Sequence, residues 1–261
     1  MALTSADDYL ASVHNYVGWL KTATRTTVAA SPFSLFDIAG NPGAGTLNAG
    51  NTANGVVRTD ATTGMPTIPA ISGTGYLTRV EFGWTVAGRL LVYDQVFSCG
   101  AYAYNANTTL ASQPSYAGRM PGGVYDNTEL WVEAVTAFTG TPSVQVNYLD
   151  QGGAAGDTGV VSCGAALIIG RMFRLPLASG DTGVQQITQV RGTVASAGTF
   201  NVHVMRRLWS GRSLAANYGD IHDLFKTGSP QVYDNSALMV VVQPDSTSSA
   251  LPEVYMEITD S

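Results

Sequence analysis

Charged residues are scarce in this chain. Asp, Glu, Lys and Arg make up 12% of its 261 residues and leave a net charge of −6, against a usual charged share of about 25%. With no cluster of Lys and Arg to displace counterions from phosphates, a nucleic-acid partner is not expected. The densest basic spot, Arg206-Arg207 with Arg212, reads as a salt-bridged sheet edge rather than a phosphate site. Only two cysteines are present, Cys99 and Cys163, and neither shows CxxC or Cys/His ligand spacing. They read as buried free thiols, with a disulfide left open. The three histidines, His14, His203 and His222, offer no HxH or HExxH spacing, so no metal site is expected. No GxxxxGK(S/T) loop follows a strand, so no nucleotide is expected, nor any other cofactor. No apolar run approaches a membrane span, and the start MALTSADDYL has neither a basic nor an apolar leader region. A membrane partner is therefore not expected, and synthesis in a cytoplasm is.

What is abundant is small or apolar. Hydrophobic residues make up 45% of the chain and glycine supplies 29 residues. That is enough for a proper core and excludes a disordered chain. Many small polar residues with little charge suit a β-rich surface largely covered by neighbours, more than a free monomer that relies on charge for solubility. Strand-like runs occur at residues 76–85, 89–97, 129–138, 143–149, 236–243 and 253–259. Within the run at 129–138, Leu130, Val132 and Ala134 alternate against Trp131, Glu133 and Val135. Residues 160–209 read as strand, turn, strand, turn, strand, an antiparallel meander. Roughly nine strands in a row with no long helix between them point to an all-β fold, an antiparallel β-sandwich or jelly roll.

The first 70 residues differ from the rest. Ser5 caps a helix, with Asp8 completing a capping box and Asp7 favouring the helix N-terminus. Leu3, Ala6, Leu10, Val13, Val17 and Leu20 follow at spacings of three and four, which predicts a helix laid across a sheet, with a short helix packed on its symmetry mates as the alternative. Ser31 to Asp37 form a small aromatic cluster, and residues 38–70 are rich in Gly, Asn, Thr and Pro. A loop that long inside a compact domain reads as an arm lying across a neighbour. The expected organisation is a helix and extended interaction arm at 1–70 and a β-sandwich at 71–261. A short helix is expected around residues 220–225.

Candidate chemistry is thin. GDTGV occurs at residues 156–160 and 180–184, and Asp-Thr-Gly invites comparison with an aspartic protease, whose two carboxylates share a proton. Both copies sit in turn-like surroundings and too close in sequence for two lobes, so each Asp reads as a turn cap with Gly at positive φ. No GxSxG motif supports a Ser-His-Asp triad. Asp94, Asp126, Glu129 and Glu133 are the available carboxylates for a glycosidase pair. Trp84, Trp131 and Trp209 lie within strand runs and read as core or interface. No enzymatic activity is expected.

Two stretches carry a resemblance. Ser34-Leu35-Phe36 is followed by Gly40-Asn41-Pro42-Gly43-Ala44-Gly45, and RMFRLPLASGDTGVQQITQV stands at residues 171–190. With a short helical segment ahead of a β domain, the chain resembles a group of tailed-bacteriophage virion structural proteins found among head genes. The resemblance supplies no catalytic residues. It implies a capsid decoration or cement protein that binds the major capsid protein and itself, as a homotrimer or another symmetric oligomer. Such a protein is made in the host cytoplasm and resides in the virion. The contacts expected on this reading are Leu10, Val13, Val17, Leu20, Phe33, Leu35 and Phe36. The alternative is a tail, fibre or baseplate module that binds host glycans through the tyrosines of residues 101–125.

Overall fold

The structure is a computed structural model that describes residues 3, 5–47, 51–138, 140–164, 168–192 and 197–261. The protein is all-β. Its described residues form three antiparallel sheets of six, five and seven strands, with two α-helices of six and four residues.

The N-terminal helix is shorter than the spacing of leucines and valines predicts. It spans Ala6–Ala11, and Ser5 caps it by accepting from the Asp8 amide at 3.1 Å. Ser12 is already extended. Residues Val13–Lys21 then form a strand that pairs through Val13 to Trp19 with the last strand, Glu253–Asp260. Two periodicities compete here. Val13, Val17 and Leu20 fit a helical stripe, but Val17 and Trp19 also alternate with Tyr16 and Gly18. β-Branched and aromatic residues around a glycine favour the strand, and the strand buries Val17 and Trp19 against the sheet.

The expected arm is woven into the same body. Phe33–Ser34 pairs with Leu238–Pro244, and Asn51–Val57 pairs with the long strand Gly88–Ala103. Phe33, Leu35, Phe36, Ile38, Leu47, Met65 and Ile68 are buried in one core with residues from the C-terminal strands. The boundary at residue 70 therefore does not separate two independent cores. The glycines of this region permit close approach. A Cβ on Gly45 would enter the Phe36 ring, and Gly64 packs on the Gly45 backbone.

The predicted meander is also corrected. Residues 160–174 do not form one strand; they contribute Val161–Ser162 and Met172–Leu175. Met172–Leu175 pairs with Thr128–Ala134, while Val184–Gly192 pairs with Ser143–Asp150 and Asn107–Thr109. The next strand, Thr199–Ser213, lies between Gly88–Ala103 and Thr128–Ala134. Successive strands thus go to different sheets, because each finds its apolar partner elsewhere in the chain.

Gly88–Ala103 and Thr199–Ser213, of 16 and 15 residues, contribute to both hydrophobic cores. One core also takes in the six-stranded sheet through Val80, Phe82, Val254 and Met256. The other takes in the five-stranded sheet through Val144, Val146, Ile187 and Val190. The edges of the seven-stranded sheet meet: Phe33 bridges Arg171, and the Met172 amide donates to the Pro32 carbonyl at 2.9 Å. The sheet is therefore closed on itself, and polar groups line the inner face. The Ser34 hydroxyl donates to Glu133 at 2.8 Å, Glu133 lies 3.1 Å from His203 Nε2, and His203 Nδ1 lies 3.0 Å from both Gln95 and Ser98.

Candidate functional site

The residues expected to make contacts divide sharply. Leu10 and Val13 are 74% and 60% exposed, and Leu20 is half-buried. Val17, Phe33, Leu35 and Phe36 are buried within the subunit. Their apolar side chains complete its own core, so they are not available to a neighbour. The tyrosine platform of the glycan reading is corrected for the same reason: Tyr102, Tyr104 and Tyr116 are buried in the second core, with Tyr125 half-buried against it.

The chemical candidates resolve into structural roles. In the first GDTGV, the Asp157 carboxylate accepts from the Gly159 amide at 2.7 Å and Gly159 takes φ +64°, as a turn cap requires. In the second, Asp181 accepts from the Tyr148 hydroxyl at 2.6 Å, and Gly180, not Gly183, has the positive φ, +97°. The basic spot is salt-bridged. Arg206 reaches Asp94 at 3.3 Å, Arg207 reaches Glu129 at 3.7 Å and Arg212 reaches Asp245 at 2.9 Å. Arg206 is paired on both sides, with Asp94 and Thr128, whereas Arg207 and Arg212 are paired on one side only, with Tyr93 and Arg89, so the strand becomes an edge there. Cys99 and Cys163 are free and buried, and burial pushes both thiols up to about 12. Glu133 and His203 are sealed, with side chains 2% and 1% exposed. Among the described residues no group of three or more His, Cys, Asp or Glu is placed to hold a metal ion.

Two of the concave regions among the described residues bear on function. One, of about 620 Å³, is lined by Glu129, Arg174, Arg207, Thr128, Asp181 and Thr182. At its base Glu129 accepts from the Tyr93 hydroxyl at 2.9 Å and the Trp131 indole at 3.0 Å. Both arginines lean on that one carboxylate, which leaves them no surplus over the neighbouring acids. The other is an apolar groove of about 480 Å³ between the N-terminal helix and the Leu224–Thr227 turn, lined by Leu3, Ala6, Tyr9, Leu10, Leu224 and Phe225.

This groove borders the outer face of the six-stranded sheet. The strand registers place Arg79, Glu257 and Tyr16 in one row, and Ile221, Glu81, Tyr255 and Gly18 in the next. Tyr16 and Tyr255 are 64% and 41% exposed, Ile221 is 48% exposed, and Phe225 stands out at 87%. The helix is pinned to this face through Glu257. Tyr9 donates to its Oε1 at 2.7 Å, Thr78 at 2.9 Å, and His14 Nδ1 lies 3.1 Å away. Burial alone would raise the Glu257 carboxyl, but the hydrogen bonds from Tyr9, His14, Thr78 and Tyr16 outweigh it and hold the group below its ordinary value. Sequence reasoning found Leu10 and Val13 but missed Tyr16, Tyr255, Ile221 and Phe225. Phe225 had a signal: a large aromatic just after the helix cap Asp223, in a helix of only four residues.

No protein-family model matches the chain, and no curated protein matches it. Among solved structures, T=1 particles derived from infectious bursal virus align at 6% identity and a TM-score of 0.19, over 95% of this chain and 77% of the other. The Gx strain of infectious bursal disease virus aligns at 7% identity and a TM-score of 0.18, over 95% and 81%. The VP2 subviral particle of that virus aligns at 7% identity and 0.19, over 96% and 81%. At such TM-scores the alignments do not define a shared fold.

Proposed function

We propose that this chain is a structural protein of a bacteriophage virion, a decoration or cement protein that binds and stabilises the major capsid lattice. The observation that carries this reading is the distribution of uncovered apolar side chains. Leu10, Val13, Tyr16, Ile221 and Phe225 are exposed around the six-stranded sheet, Val160 is 63% exposed beside the five-stranded one, and Ile168 and Ile169 are 54% and 43% exposed just before Met172–Leu175 of the seven-stranded one. A monomer keeps its large apolar patches few, whereas a lattice component needs separate patches for separate neighbours. The charged share of 12% fits the same surface, and so does the resemblance at residues 34–45 and 171–190. Stabilisation on this reading is mechanical: contact area added across capsid subunits favours the assembled shell by mass action. The reading gives the buried acid–histidine pair of Glu133 and His203 no catalytic role.

The test is to mix purified protein with capsids that lack it, sediment the particles and image them. Saturable binding at fixed lattice positions, with a raised capsid melting temperature, is the expected result. Protein that stays in the supernatant at every concentration rules the reading out.

A further inference from the structure

We infer that the outer face of the six-stranded sheet, with the groove beside the N-terminal helix, docks a second copy of this chain. The two copies are related by a twofold axis, so that Phe225 of each enters the groove of the other. This rests on the structural-protein reading and names one of its partners.

Shape is the first ground. A twofold contact places the same patch on both sides, so the patch must carry both a projection and a recess. Phe225, 87% exposed, is the projection, and the groove of about 480 Å³ between Leu10 and Leu224 is the recess. A cavity of about 150 Å³ already accepts a benzene ring. Area is the second. Leu10, Tyr16, Ile221, Phe225 and Tyr255 are between 41% and 87% exposed. At about 200 Å² for a fully exposed aromatic side chain, they offer roughly 500–600 Å². That matches the largest patches monomers usually leave uncovered and supplies most of the roughly 800 Å² per partner of a stable interface.

Charge is the third ground. The charges on this face are largely satisfied within the chain: Arg79 pairs with Glu81 at 2.8 Å and Lys226 with Asp220 at 3.8 Å, and Glu257 accepts from Tyr9 and Thr78. Covering them strands no isolated ion. A lipid surface fits less well, because Asp7 and Asp223 adjoin the groove-lining Ala6 and Leu224 in sequence and the chain carries a net charge of −6. An anionic membrane would repel it.

The experiment is sedimentation velocity on the full chain over a concentration series, with Phe225→Asp and, as a control on a different sheet, Val160→Asp. Both positions are exposed, at 87% and 63%, so both variants keep the fold. The expected result is a reversible dimer for the wild type and the control, weakened by at least about tenfold in Phe225→Asp. A second arm mixes Leu10→Cys chains with Phe225→Cys chains, and a disulfide-linked heterodimer is expected. A wild-type chain that is monomeric to on the order of 100 μM, or a dimer untouched by Phe225→Asp, overturns the inference. So does a monomer that binds phosphatidylserine vesicles through Phe225. Capsid binding without self-association would sink this inference and leave the structural reading standing. Self-association without capsid binding would do the reverse.

Discussion

The Tyr9 hydroxyl donates to the Glu257 carboxylate over 2.7 Å, joining residues 248 positions apart in sequence. With His14 and Thr78 on the same oxygen, this carboxylate anchors the N-terminal helix to the last strand. Burial and the bond to Glu257 push the Tyr9 phenol up to about 12, so it stays a donor at neutral pH.

Glu257→Gln should loosen that helix locally by on the order of 1.5–3 kcal/mol, the range for hydrogen bonds to a charged group. Hydrogen exchange of the amides in residues 6–12 reads this directly. The pH dependence has a definite sign. A carboxylate held below its unfolded value stabilises the docked helix at pH above the ordinary glutamate range, and that contribution fades as pH falls through the lowered value. Helix protection should therefore be level from about pH 7 to 5 and fall below about pH 4. The same decline in Glu257→Gln would assign it to another group.

Asp94 is the most committed charge in the molecule. It is fully buried, pairs with Arg119 and Arg206, and accepts from the Ser236 hydroxyl at 2.9 Å and the Ala237 amide at 3.0 Å. Removing one partner of such a network leaves buried guanidinium groups uncompensated. Asp94→Asn should destabilise by about 3–5 kcal/mol, and Ser236→Ala by about 1 kcal/mol. Urea unfolding should show lower midpoints with an unchanged slope. A small effect of Asp94→Asn would mean that water reaches the arginines.

Strands were legible where one face alternates cleanly. Leu130, Val132 and Ala134 mark Thr128–Ala134, and the same period marks Glu253–Asp260. Partners were not legible. Met172–Leu175, Val184–Gly192 and Thr199–Ser213 look like consecutive members of one meander, yet none pairs with the next. Pairing is decided by which apolar face fits which, across large sequence separations that no local pattern records. Val13–Lys21 failed differently, since its residues satisfy two periods at once and only the open edge of Glu253–Asp260 decides between them. The contact surface was half legible. Exposure of Leu10 and Val13 could be proposed from sequence, but the burial of Phe33, Leu35 and Phe36 depends on strands more than 150 residues away.

Because that burial is shared, the segment at 71–261 should not fold alone. It would lack Trp19, Phe33 and Leu35, all fully buried, and the strand Val13–Lys21 that covers Glu253–Asp260. The truncated chain is expected to be insoluble or to show broad, unstructured amide signals. In the full chain, Trp19→Ala should lower stability by about 3–5 kcal/mol, while Leu10→Ala on the exposed face should stay within about 0.5 kcal/mol. A cooperatively melting 71–261 fragment would restore the expected boundary.

Gly45 and Phe36 allow a sharper test of how the first 70 residues are held. The Gly45 amide donates to the Phe36 carbonyl at 2.8 Å, and a Cβ on Gly45 would land inside the Phe36 ring. The glycine is needed for close approach. Gly45→Ala should therefore cost about 1–3 kcal/mol through overpacking. Phe36→Leu removes the ring and loses core area, so it also destabilises when made alone. Combined, the two should cost clearly less than the sum of the single changes, with a coupling of at least about 0.5 kcal/mol, since the shorter side chain clears the space that the new methyl needs. Thermal or urea unfolding of the four proteins in the cycle measures this. Strict additivity would mean that the loop shifts to admit the methyl group, and that the contact between ring and backbone does not set its position.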